Sequence, residues 1–103
     1  MKIAFDWDGT ITRFPAPLLM LARILKEAGH DVFILTAMAG EFPAGESRRA
    51  EANRRVKKAN ADFLPVICVE QSEKPAYCRD NNVQILIDDT EFDMPWTLRL
   101  MPK

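Results

Sequence analysis

The segment Ile3-Ala4-Phe5-Asp6-Trp7-Asp8-Gly9-Thr10-Ile11-Thr12 sets an apolar run directly against two aspartates one residue apart, then a glycine and a hydroxyl residue. In an extended strand, residues two apart project to the same side, so Asp6 and Asp8 are expected as neighbours at a strand end. Gly9 is the residue that turns the chain. Carboxylates held this close repel each other, and the arrangement makes sense where a cation or a shared proton sits between them. Asp-Gly by itself is a common turn dipeptide. Asp-x-Asp-Gly-Thr directly after a buried strand points instead to chemistry, and the rest of the chain decides between turn and site.

Working outward, residues 2–5 or 2–6 read as a strand that is apolar on both faces, as in a central parallel strand. Pro15 and Pro17 punctuate a loop over 12–17. A helix over about 17–28 follows, with Leu18, Leu21, Ala22, Leu25 and Ala28 at helical spacing toward a sheet. Gly29 suits the left-handed position that ends it, and the only histidine, His30, reads as a solvated turn residue. Val32-Phe33-Ile34-Leu35-Thr36 is a second strand ending on a hydroxyl. Residues 37–45 form a loop, and Ser47 caps a helix over about 48–60. That helix has a narrow apolar stripe of Ala52, Val56 and Ala59, extended by Phe63. Its other side is basic: Arg48, Arg49, Arg54, Arg55, Lys57 and Lys58, offset by Glu46 and Glu51. Residues 65–69 form a third strand and 70–73 a loop. A short helix opens at Lys74-Pro75 and runs to about Asp80, with a turn at Asn81-Asn82. Val83–Ile87 is a fourth strand that ends on Asp88-Asp89, with Asp93 in the same loop. Leu98–Met101 reads either as a short fifth strand or as a packed tail.

At 103 residues the chain has room for one domain, read as residues 1–103. Its 48% hydrophobic and 28% charged residues are those of an ordinary soluble globular protein. A net charge of −1 gives little support to a nucleic-acid binder. Cys68 and Cys78 match no metal-ligand spacing. Both read as buried or half-buried thiols, so a reducing, cytoplasmic location is expected. Met1-Lys2 runs straight into a strand, with no signal-peptide pattern, and no apolar run has the length of a membrane span.

Alternating strands and helices imply right-handed crossovers and a three-layer α/β/α, Rossmann-like parallel sheet. Ligands bind such sheets at the carboxyl ends of the strands, near a switch in strand order. Asp6 and Asp8 end strand one, Thr36 ends strand two, and Asp88 and Asp89 end strand four, so all belong to one rim. Lys74, which begins the helix leading into strand four, lies where loops meet that rim. Asp6, Asp8, Asp88 and Asp89 in one crevice, with Lys74 alone opposing them, predict raised carboxyl pKa values unless a divalent cation is present.

This ordered set resembles the four motifs of the haloacid dehalogenase-like (HAD) superfamily. Asp6-Trp7-Asp8-Gly9-Thr10 looks like its Asp-x-Asp-x-Thr motif, Val32–Thr36 like its second motif and Lys74 like its third. Asp88-Asp89-Thr90-Glu91-Phe92-Asp93 looks like its Asp-Asp-x-x-x-Asp motif. The resemblance covers roughly residues 1–93. It implies a phosphohydrolase in which Asp6 is the nucleophile that forms an aspartyl-phosphate and Asp8 the general acid and then base. Thr36 and Lys74 would bind the phosphoryl oxygens, with Gly9 and Thr10 beside them. Mg²⁺ would be held by Asp6, the Asp8 carbonyl, Asp89, and Asp88 directly or through water, and Asp93 would stand behind these ligands.

Phosphorelay receiver domains share the architecture, but they carry the phosphorylated aspartate at the end of strand three, where this chain has Val69-Glu70-Gln71. The intervals 11–31 and 37–73 have no room for a folded cap domain. The resemblance is therefore to a minimal, uncapped member, whose open site is covered by a large substrate or by a second subunit. Arg48 and Arg49, near the start of the basic helix, read equally as a phosphate or nucleotide clamp and as a solvated face. Trp7 reads as base-stacking or as packed on the other face, and Phe42 is similarly open. Phosphorylated substrates in view are a nucleotide, a nucleic-acid end or a small phosphomonoester. A second class, a non-catalytic module that binds phosphate or a partner, is disfavoured because no acid of the set is missing.

Overall fold

Ile3, Ala4 and Phe5 are all buried, as a strand covered on both faces requires. The computed structural model of the chain describes residues 1–37, 47–90 and 97–99. Along these run β1 (Lys2–Phe5), α1 (Pro15–Glu27), β2 (Asp31–Thr36), α2 (Arg48–Lys58), β3 (Val66–Cys68), α3 (Lys74–Asp80), β4 (Ile85–Asp88) and β5 (Thr97–Arg99). The strands form one parallel sheet in the order β3-β2-β1-β4-β5. This is the expected α/β, Rossmann-like arrangement, and β5 decides the open reading of the tail in favour of a strand.

Strand alternation divides the core between the two faces. Ile3, Phe5, Val32, Ile34 and Ile87 pack with Leu18 and Ala22 of α1 and Ala52 and Val56 of α2. Ala4, Phe33, Leu35 and Leu86 pack with Cys78 of α3 and with Val83. The crossovers through α1 and α2 step one way across the sheet and put both helices on one face. The crossover through α3 steps back past β2 and β1, so α3 lies on the other face, as right-handed connections demand.

All three helices end in the same way. Gly29 (φ +94), Asn60 (φ +58) and Asn82 (φ +55) each adopt the left-handed conformation just past the last turn. The amide of the following residue then reaches back: His30 to Leu25 O (3.1 Å), Ala61 to Val56 O (2.9 Å) and Val83 to Cys78 O (2.9 Å). This is the Schellman closure, which satisfies carbonyls that the helix leaves without partners. At the other end of α2, Ser47 Oγ accepts the Ala50 amide at 3.1 Å.

Four expectations shift. The first helix starts at Pro15 rather than 17, because prolines fit the first turn without loss of an amide bond. Its buried line is Leu18, Ala22 and half-buried Leu25, joined by Leu19. Leu21 is 38% exposed, with Met20 and Ile24 also exposed, and Ala28 lies at the surface. A narrow helix-on-sheet contact takes a stripe around 18-22-25, and position 21 falls on its shoulder. Strand four begins at Ile85, since Val83 is the apolar residue of the α3 cap. Residues 71–73 form a single 3₁₀ turn rather than an irregular loop. Phe42, Glu46 and Asp93 lie outside the described residues.

An alanine at Gly29 would meet no atom within 4 Å, so only the positive φ opposes it. Gly29→Ala is expected to cost about 1–2 kcal/mol, measured by urea unfolding at an unchanged m-value.

Candidate active site

The crossover direction reverses between β1 and β4, which makes their carboxyl ends the switch point of the sheet. Asp6 follows β1 and stays tied to β4, its amide donating to Ile87 O at 2.9 Å. Asp88 is the last residue of β4. The two carboxylates are thus brought together by strand pairing.

The chain then turns at Asp8 (φ −70, ψ 123) and Gly9 (φ 80, ψ −5), the central pair of a type II turn. A wide turn over residues 7–11 follows, closed by the Thr12 amide on Trp7 O at 3.1 Å. The Gly9 amide donates to Thr12 Oγ1 at 2.9 Å. A Cβ at Gly9 would stand 2.3 Å from Asp89 Oδ2, so this position requires glycine both for its φ and for the close approach. The strand-pleat expectation for Asp6 and Asp8 is therefore corrected. The strand stops at Phe5, and the turn, not the pleat, brings exposed Asp8 to the same cleft as buried Asp6.

Lys74, the first residue of α3, is fully buried. Its Nζ donates to Asp6 Oδ1 at 2.6 Å and to Asp88 Oδ2 at 3.0 Å. The Thr10 hydroxyl donates to Asp6 Oδ2 at 3.0 Å, and the Thr90 amide donates to Asp88 Oδ1 at 2.9 Å. One buried cation thus faces two buried carboxylates. Burial pushes the Asp6 carboxyl up to about 6, Lys74 opposing the rise and Asp88 adding to it. Burial likewise raises Asp88, with Lys74 again opposing.

Asp6, Asp8, Thr36, Ala37, Gln71, Asp89 and Thr90 line one cleft. Its floor is buried Asp6 and Thr36, and Asp8, Gln71 and Asp89 are exposed at its mouth. Thr36 is the last residue of β2, and its carbonyl accepts the Val69 amide at 3.1 Å. Asp6, Asp88 and Asp89 each offer a carboxylate oxygen, and these atoms lie within 4.8 Å of one another. An all-oxygen acidic set of this kind suits a hard divalent cation such as Mg²⁺. Both Asp88 oxygens already accept from Lys74 and from an amide, whereas exposed Asp89 opens on the cleft beside the Asp8–Gly9 turn. The Asp8 side chain is outside this three-carboxylate group but shares the cleft.

The readings left open for Trp7 and Arg49 both resolve away from the cleft. Trp7 is buried in the core with Phe5 and Ile11 and presents no face for stacking a base. Arg49 is exposed on the first turn of α2 and is not among the residues lining the cleft; the Arg48 side chain lies outside the described residues. Further along α2, Arg54 and Arg55 both pair with Glu51, which makes that part of the basic face an intrahelical network. The sequence gives no signal for Gln71, which the structure sets in the cleft, and Thr90 appears there only as a variable position of the last acidic motif.

Comparison of the chain with protein-family models, with curated proteins and with solved structures finds no match.

The sign of the pH dependence follows from the Asp6 pKa, about 6 in the folded metal-free protein against an ordinary 3.8. The folded state binds this proton more readily than the unfolded state, so stability from this group is full below pH 4 and falls as pH rises toward 6. Metal-free Asp6→Asn should therefore gain on the wild type across pH 4–6, by about 2–3 kcal/mol, and then run parallel above it. Thermal unfolding in the presence of a chelator at stepped pH reads this difference. Lys74→Met leaves two buried carboxylates without their cation. It is expected to lose about 3–5 kcal/mol at pH 7.5 and to recover most of it at pH 4.5. Gly9→Ala is expected to destabilise by about 2 kcal/mol or more, read by urea unfolding.

Proposed function

We propose that this chain is a Mg²⁺-dependent phosphohydrolase of the HAD-like type, acting on phosphomonoesters through an aspartyl-phosphate on Asp6. The observation that carries this reading is the buried Lys74 bridge between Asp6 and Asp88 at the switch point, with Asp6 lining one cleft together with Thr36 and the metal-competent Asp89. Few structural roles account for a buried lysine and two buried carboxylates gathered at the switch point with a third carboxylate at the cleft mouth.

The carboxylate of Asp6 attacks phosphorus in line with the leaving oxygen. The P–O bond to the alcohol breaks as the bond to Asp6 forms, and Asp8 protonates the departing alkoxide. Asp8, now a carboxylate, takes a proton from water, which attacks the same phosphorus and returns Asp6 with inorganic phosphate. Lys74 and the Thr36 hydroxyl stabilise the phosphoryl oxygens. Thr10 and Lys74 each hold one oxygen of Asp6 and so fix its aim. Asp89 and Asp6, with the Asp8 carbonyl, would hold Mg²⁺, which when bound would offset the negative charge of the acidic cluster and of the phosphate. Asp88 keeps Lys74 in place.

The substrate class in this reading is a nucleotide, a nucleic-acid end or a small phosphomonoester. The protein would work in the cytoplasm, where the free thiols Cys68 and Cys78 stay reduced. No described helix is long and apolar enough to cross a membrane. A second copy covering the mouth would exclude water from the cleft.

Aryl phosphate hydrolysis is expected to require Mg²⁺, to vanish in Asp6→Asn and to fall about 10²–10⁴-fold in Asp8→Asn. Brief incubation of Asp8→Asn with substrate, followed by acid quench, should trap a phosphate adduct on Asp6 detectable by mass. A wild type that hydrolyses no ester of a broad panel but still binds phosphate would instead support a non-catalytic phosphate-binding module.

A further inference from the structure

Gln71 and Thr90 follow β3 and β4, strands separated in the sheet by β2 and β1. Their side chains nevertheless meet: Gln71 Nε2 donates to Thr90 Oγ1 at 3.2 Å. Both line the cleft with Asp6, Asp8, Thr36 and Asp89. The bond therefore straps two loops across the α3 side of the cleft.

Depth assigns the strap its place. Asp6 and Thr36 lie buried at the floor, where the phosphoryl group must sit to meet its nucleophile. Asp8 is exposed, and as general acid it must touch the leaving oxygen. The rest of the alcohol therefore extends outward past Asp8. Among the described residues that line the cleft, exposed Gln71 and half-buried Thr90 are the neutral polar groups at that level. One N–H of the Gln71 carboxamide is used by Thr90. Among the described residues no group takes up the other N–H or the Oε1 acceptor, and the strap fixes where they point. A donor and an acceptor side by side match a hydroxyl group, which is itself both.

We infer that Gln71, held by Thr90, is a specificity-determining residue that reads the leaving group, and that the preferred substrate is the phosphomonoester of a polyhydroxylated alcohol, such as a sugar or a nucleoside. This rests on the phosphohydrolase reading. An unsubstituted aryl leaving group offers the carboxamide no partner, whereas a hydroxylated one gains hydrogen bonds that a truncated side chain cannot supply.

The experiment compares kcat/KM for a pentose phosphate and for an unsubstituted aryl phosphate, in Mg²⁺, across wild type, Gln71→Ala, Thr90→Val and Thr90→Ser. The ratio of pentose to aryl ester is expected to fall about tenfold in Gln71→Ala and severalfold in Thr90→Val, mainly through KM, and to be restored in Thr90→Ser, which keeps the hydroxyl. Melting temperatures should stay within about 2 °C of wild type, as for surface substitutions. Equal losses on both esters, or an unchanged ratio, would overturn the assignment of Gln71 while leaving the wild-type activity standing. A wild type inert on both esters would overturn the phosphohydrolase reading and this inference with it.

Discussion

Lys74 is the constraint on which the site depends. Its ammonium is buried between Asp6 and Asp88, one residue past β1 and the last residue of β4. Desolvating such groups costs several kcal/mol per ion, and attraction repays that only with good geometry and full hydrogen bonding. The structure meets both conditions. Each carboxylate oxygen accepts a bond from Lys74, Thr10 or the Thr90 amide. Desolvation by burial still outweighs the attraction of Lys74 and raises both carboxyls, and one lysine facing two carboxylates leaves a negative charge over.

Such a cluster persists only where the surroundings fix it. Strand pairing fixes Asp6 against β4 through the Ile87 carbonyl, and Gly9 lets the turn close down on Asp89. The apolar layers on both sides of the sheet provide the stability against which the polar rim is a cost. Repeated Schellman closures end each helix at a definite residue, so the strands that follow α1 and α3 enter the sheet in register.

Local chemistry explains what was legible early. Continuous apolar runs read as parallel strands, and their order implied the layered fold. Acids and a threonine at strand ends marked the rim. Ser47 and Gly29 were readable as caps from their residue types alone. Where the reading slipped, a tertiary contact was decisive. Leu21 has the right helical spacing but lies on the shoulder of a narrow contact. The reading that had stayed open for Trp7 was decided in the same way: it packs in the core with Phe5 and Ile11.

The sequence by itself determined which groups are present at the rim, because strand periodicity and the alternation of elements are local patterns. It did not determine how those groups divide their partners. Only the tertiary structure decided that Asp88 is committed to Lys74 while Asp89 opens on the cleft, and that Asp8 arrives by a turn. It alone joined Gln71 to Thr90 across two intervening strands. Those are contacts between residues far apart in the chain, and they exist only after the sheet has set its strand order. The residue types fixed the chemistry available, and the packing fixed which atom faces which.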